Sequence, residues 1–123
     1  NWVRTGIAPP AGPPLNVISS TPVVLARDVN GNALGGVRSP HVDVPVATLD
    51  SVNSAPPGGF VFCGLFGRTI PFSSGRVLEL YPTQADFTAT WLNAINVSVA
   101  NGFLLQADGD ALSTAANAWL FPN

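Results

Sequence analysis

Along the last third of the chain an apolar residue returns every four positions: Phe87, Trp91, Ile95 and Val99, in a run closed by Asn101-Gly102. With about 3.6 residues per helical turn, that spacing lays one apolar stripe along a helix. Pro82-Thr83 ahead of Asp86 reads as its start, with aspartate where a capping box has Glu or Gln. Asn-Gly reads as its C-terminal cap. A second helix is predicted from Asp108 or Asp110 to about Trp119, with Leu112, Ala115 and Trp119 on one face. Ser73-Ser74 caps a shorter helical turn through Leu80.

The first half shows no such period. Residues 1–22 carry Pro9, Pro10, Pro13, Pro14 and Pro22. Each proline fixes its own φ and biases the residue before it to extended structure, which predicts an extended Pro-rich segment. Such a segment would lie across a partner surface, anchored by Trp2 and Ile7. Val23–Asp28 reads as a short strand, Asn30-Gly31 as a turn in which both residues tolerate positive φ, and Ala33–Arg38 as the return strand. Val42, Val44 and Val46 alternate with Asp43 and Pro45, an edge strand because proline cannot donate to a ladder. Residues 50–59 read as a loop, and Phe60–Phe66 as a buried apolar run between glycines. There are no internal repeats. The expected architecture is an irregular, extended first half with short strands, then two to three α-helices. Residues 23–123 are expected to form one unit, the C-terminal part of an incomplete domain.

Composition adds a reason to expect a partner. Apolar residues make up 46% of the 123, but charged residues only 10%, and all five cations are arginines. Typical soluble domains carry about 25% charge. So few charges leave a surface rich in apolar and backbone groups, the kind found at interfaces. The alternative is an independent secreted binding or structural module, solubilised by small polar residues. The chain begins at Asn1 without methionine, read here as a point of processing or cleavage. The sequon Asn96-Val97-Ser98 makes Asn96 a candidate glycosylation site and, with the lack of lysine, tilts the expectation toward an extracellular protein. A net charge of −2 with scattered arginines argues against nucleic acid. The longest uncharged apolar run, Gly58–Gly67, is far short of the roughly 20 residues that span a bilayer.

No constellation of residues completes an active site. His41 is the only histidine, and Asp43, two residues on, would share its face on a strand. A general base needs a nucleophile within reach, yet Ser39, Ser73 and Ser74 have no special context, and no G-x-S-x-G elbow exists. A self-contained hydrolase using His41 and Asp43 is the weakest of the readings; a structural histidine is the plainer one. Cys63, alone and in an apolar surround, excludes an internal disulfide and reads as an inert thiol. Asp108-Gly109-Asp110 lacks the remaining oxygen ligands of a calcium loop and reads as helix N-terminal acid. Without lysine no phosphate-binding P-loop is possible. Arg38 and Asp43 are placed to pair across Pro40. No metal or cofactor is implied.

Several stretches, in order, resemble the C-terminal region of the alpha/beta hydrolase domain-containing family. They are Trp2-Val3-Arg4-Thr5-Gly6 with Pro9-Pro10, then Arg27-Asp28 through Gly31-Asn32-Ala33-Leu34-Gly35-Gly36-Val37-Arg38. Pro40, Val42-Asp43-Val44-Pro45 and Ala47-Thr48 follow, then Phe62-Cys63-Gly64-Leu65-Phe66-Gly67 with Pro71-Phe72. The last is Leu80-Tyr81-Pro82, leading into the helix that ends at Gly102-Phe103-Leu104-Leu105. The resemblance implies an α/β-hydrolase-type fold when complete, and a serine hydrolase acting on carboxylic esters or lipid-like substrates. It also implies that the nucleophile elbow, triad acid and histidine lie upstream of Asn1, on a second polypeptide. This chain would then be its non-catalytic C-terminal partner. No catalytic residue is carried over. The apolar stretch with Phe60, Phe62, Phe66 and Phe72 would be the part nearest a substrate.

Overall fold

The helical part follows the apolar period closely. In the computed structural model, which describes residues 2–8, 11–51, 62, 65–119 and 121–122, nine elements run in the order α1 (Trp2–Thr5), β1 (Val17–Ser20), β2 (Val23–Leu25), α2 (Pro40–Asp43), β3 (Ala47–Asp50), β4 (Arg68–Pro71), α3 (Ser74–Leu80), α4 (Gln84–Ala100) and α5 (Gln106–Ala118). Phe87, Trp91 and Ile95 of α4 are buried, as their spacing predicts. Thr83 caps α4: its hydroxyl oxygen accepts from the Asp86 N–H at 3.1 Å and its O–H donates to the Asp86 carboxylate at 2.7 Å. A free helix-end donor is thereby satisfied. Ser73 does the same for α3, accepting from the Arg76 N–H at 3.2 Å. At the far end of α4, Gly102 turns the chain at φ 75°.

Helix α5 starts at Gln106, two residues before Asp108 and four before Asp110, with Leu105 at the N-cap and Asp108 in the first turn. There the carboxylate meets unpaired N–H groups and the positive end of the helix. Gly109 is the close-approach point between the two long helices. A Cβ on it would lie 3.0 Å from Ile95 Cγ2 and 3.2 Å from Val99 Cγ2. The core gathers around this crossing: Phe87, Trp91 and Ile95 of α4 meet Val77 and Tyr81 at the end of α3, Ala116 of α5, and Val44.

The strands form two separate antiparallel pairs, β1 with β2 and β3 with β4. Strand β2 pairs backward with β1 inside the proline-rich segment, not forward with Ala33–Arg38. The predicted return strand is replaced by two isolated bridges, Arg27 with Ala33 and Leu15 with Gly35. Its physical obstacle is Gly35-Gly36, both at positive φ (75° and 70°), which bends the backbone out of a ladder. Residues 2–5 are helical where extended coil is expected; the prolines begin only at Pro9, so nothing restrains φ there.

The valine alternation also misleads. Val42 lies in the short helix α2, and the strand starts only at Ala47, beyond Pro45. Pro40 at the first helical position sets φ for a turn, and Ser39 O accepts from the N–H groups of Val42 and Asp43 at 2.9 and 3.1 Å. Of the loop predicted over 50–59, Asp50 belongs to β3, and 52–59 lie outside the described residues. Of the Phe60–Phe66 run, read as buried, Phe62, Leu65 and Phe66 are exposed, and the rest lies outside the described residues. Among the described residues no helix is long and apolar enough to cross a membrane.

Candidate functional site

Period-2 geometry makes β3 the divider of the molecule. Thr48 and Asp50 face the N-terminal segment, where Thr48 Oγ1 donates to Asn30 O at 2.7 Å and Asp50 pairs with Arg27 at 2.8 Å. Ala47 and Leu49 point the other way, and Thr69, the register partner of Leu49 on β4, stands beside them. Opposite them, α5 presents Leu112, Ala115 and Trp119. Between the two walls runs an open apolar groove of about 370 Å³. Phe87 and Trp91 form its base, Phe87 lying 4.6 Å from Trp119 between ring centroids. Trp91 is fixed by its indole N–H, which donates to Leu112 O at 3.2 Å.

His41 stands at the edge of this groove. It is exposed, and its ring meets Trp91 edge-on, 5.0 Å between centroids at 86°. The shared face expected for His41 and Asp43 is absent: on the helical turn of α2, residues two apart diverge by about 200°. The Asp43 carboxylate instead accepts from Arg38 Nε. That confirms the Arg38–Asp43 pair read from the sequence, and among the described residues it leaves His41 without an orienting acid. Ser73 is taken up by its capping role.

The other candidates do not converge on one place. Phe62 and Phe66 are exposed, Phe72 is half-buried against the core, and Phe60 lies outside the described residues, as does Cys63. Asn96 is exposed on α4. Leu112 and Trp119, predicted as a helix face, do line the groove.

A polar hub on the far side of β3 holds the groove's wall in place. Asp28 Oδ1 accepts from the N–H groups of Asn30 and Asn32, both at 2.9 Å, and its other oxygen takes Arg38 Nη2 at 3.0 Å. Arg38 also donates to the carbonyls of Val42, at 3.0 Å, and Ala33. Burial pushes the Asp28 carboxyl up, but the Asn32 N–H, Arg38 and the Asn30 N–H outweigh it and hold it below the ordinary carboxylate range. For Arg38, burial acts against the charged form, and the bonds and charges of Asp43 and Asp28 overcome it, so its pKa is raised. Asn32, only 1% exposed, donates from Nδ2 to Ala47 O at 3.2 Å and accepts from Leu49 N at 2.7 Å. The sequence reading gave Asn32 no role of its own, and nothing in Asn30-Gly31-Asn32 sets one asparagine apart from the other. Arg76 ties in α3, donating to Asn30 Oδ1 at 2.8 Å. Tyr81 closes the other end: its O–H donates to Pro45 O at 3.2 Å, and burial pushes its pKa up to about 12.

With the geometry in place, the comparison with known families is direct. The alpha/beta hydrolase domain family model matches residues 1–114 of the 123. No curated protein and no solved structure gives a significant match. The chain belongs to the alpha/beta hydrolase domain family.

Proposed function

We propose that this chain is the non-catalytic C-terminal part of a serine hydrolase acting on carboxylic esters, completing the fold around a nucleophile serine carried on a second polypeptide. Family membership over residues 1–114 carries the reading. The division of labour rests on chemistry that the chain lacks. No G-x-S-x-G elbow occurs in its sequence, and an esterase of this type needs that strained turn to expose its serine. A triad also needs an acid bonded to its histidine, whereas Asp43 is bonded to Arg38.

The surface supports a covering partner. Among the described residues Pro40 is the one apolar side chain before Val44 that is buried. Val3, Ile18 and Val23 are 98%, 70% and 70% exposed. A two-stranded hairpin exposed on both faces is marginal by itself in water. The exposed sequon at Asn96 and the lack of lysine favour an extracellular setting.

The test is a serine-directed fluorophosphonate probe applied to the native protein, followed by denaturing intact-mass spectrometry. The expected result is a label on a co-purifying polypeptide and an unmodified species at 12.7 kDa. Label on a serine within residues 1–123 overturns the reading. So does a single unlabelled 12.7 kDa species of monomeric size, which would establish the independent binding module instead.

A further inference from the structure

Asn-Gly occurs twice in the chain, at Asn30-Gly31 and Asn101-Gly102. With no side chain on the glycine, its backbone N can reach the preceding asparagine's amide, so both pairs are disposed to lose ammonia. The sequence does not rank them; the structure does. Asn30 is half-buried. Its Oδ1 accepts from Arg76 Nη2 at 2.8 Å, its carbonyl accepts from Thr48 Oγ1 at 2.7 Å, and its N–H donates to Asp28 Oδ1 at 2.9 Å. Gly31 is held as well, its N–H donating to Asp28 O at 3.0 Å and its carbonyl accepting from Arg27 Nη1 at 2.7 Å. Asn101 is exposed, and its side chain has no hydrogen-bond partner among the described residues. The Asn101 N–H donates to Val97 O at 3.0 Å and the Gly102 N–H to Val99 O at 2.9 Å. Both bonds lie at the end of a helix, where local opening is easiest.

From this contrast we infer that Asn101 is a site of spontaneous deamidation and that the fold protects Asn30. Gly102 N leaves Val99 O, loses its proton and bonds to Asn101 Cγ. The Cγ–Nδ2 bond breaks and the nitrogen departs as ammonia, leaving a succinimide. Water then opens the ring at either carbonyl, giving aspartate or isoaspartate. Either product puts a carboxylate at the C-terminal end of α4, the negative end of the helix dipole, where the last turn holds no basic residue. Isoaspartate also adds a methylene to the main chain where the Phe103 and Leu104 N–H groups close the turn on Ser98 O, at 3.0 and 3.2 Å. Leu104 packs against the core, so the modification loosens the link between α4 and α5. The inference rests on the fold and is independent of the hydrolase reading.

The test is peptide mapping by mass spectrometry of the intact protein held at mildly alkaline pH, with the guanidinium-denatured chain as reference. In the denatured chain the two sites should convert at similar rates. In the native protein Asn101 should convert about tenfold more slowly, because one backbone bond must open first, and Asn30 about a hundredfold more slowly still, for its bonds to Arg76 and Thr48. Arg76→Ala should raise the Asn30 rate about tenfold; a fall would show the guanidinium activating that amide and overturn its protection. Asn101→Gln should remove most of the acidic product from the native protein, and Asn101→Asp should lower the urea midpoint. Native conversion of Asn101 no faster than that of Asn30 overturns the inference.

Discussion

Asn32→Ala tests the claim that one buried amide holds the N-terminal segment to the wall of the groove. In β3, successive residues present their backbone groups to opposite edges, and β4 takes one edge. The other edge offers Ala47 O and Leu49 N, and the Asn32 amide meets both as a neighbouring strand's peptide group would. Removing the amide leaves two backbone groups unpaired. An unsatisfied buried group costs about 1–3 kcal/mol. Ala47 is buried, so its carbonyl takes a middle value of about 2 kcal/mol, while Leu49, 38% exposed, admits water and falls near 1 kcal/mol. The total is about 3 kcal/mol, a large part of the roughly 5–15 kcal/mol that stabilises a domain.

Urea unfolding of the intact protein reads the sum. With a slope of about 2 kcal/mol per M, the midpoint should fall by roughly 1.5 M. Hydrogen exchange reads the place: the Leu49 amide should exchange at least about tenfold faster, the factor that 1.4 kcal/mol represents, while amides in mid-α4 change only with global stability. Asn32→Asp keeps the acceptor for Leu49 N but turns a carboxylate on Ala47 O, and should be no more stable than Asn32→Ala. A midpoint shift below about 0.3 M with unchanged Leu49 exchange would refute the reasoning, because both backbone groups would then have found other partners.

Two pH dependences follow from the same network. Asp28 is held below its ordinary range, so its contribution is present above about pH 4 and lost as pH falls from there toward the folded-state pKa; the stability gap between wild type and Asp28→Asn should close over that window in acid unfolding curves. Tyr81 titrates near 12 when folded against about 10 when unfolded, so its contribution is whole below pH 10 and drains away between pH 10 and 12. Tyr81→Phe should lose about 1 kcal/mol at neutral pH with the bond to Pro45 O, and should lack that share of the alkaline decline.

What the sequence made legible was whatever a local rule governs. The i, i+4 stripe of α4, the Thr83 and Ser73 caps and the Asn30-Gly31 turn depend on neighbours within a few positions, and all are present. Misreadings came where two local rules competed. Val42, Val44 and Val46 fit a period of two, but Pro40 in the first helical turn wins the backbone for α2. Ala33–Arg38 has strand-like residues, but Gly35-Gly36 breaks the ladder. The groove was half legible: Leu112, Ala115 and Trp119 were assigned to a common face, while the opposing wall of Ala47, Leu49 and Thr69 depends on the pairing of β3 with β4 at sequence separations of 18 or more. Asn32 was illegible because its partners, Ala47 and Leu49, lie 15 and 17 residues away.

The scarcity of charge, first met as a composition, has a structural account. Of the five arginines, Arg27 and Arg68 share Asp50, Arg38 takes Asp28 and Asp43, and Arg76 takes Glu79. Arg4 lies in the last turn of α1, where a cation meets the negative end of the helix. Of the three remaining acids, Asp86 and Asp108 sit in the first turns of α4 and α5, and Asp110 accepts from Gln106 Nε2 at 2.8 Å. Each charge therefore meets an ion-pair partner, a hydrogen-bond donor or a helix end within the chain itself. An independent module inverts this arrangement: it holds its core with apolar contacts and distributes charge outward to stay in solution. Here the buried apolar cluster lies within residues 44–121, while the N-terminal segment exposes valines and isoleucines over a framework pinned by ion pairs and the buried Asn32 amide. A segment so pinned, with its apolar side chains outward, is what the covering partner we propose would meet.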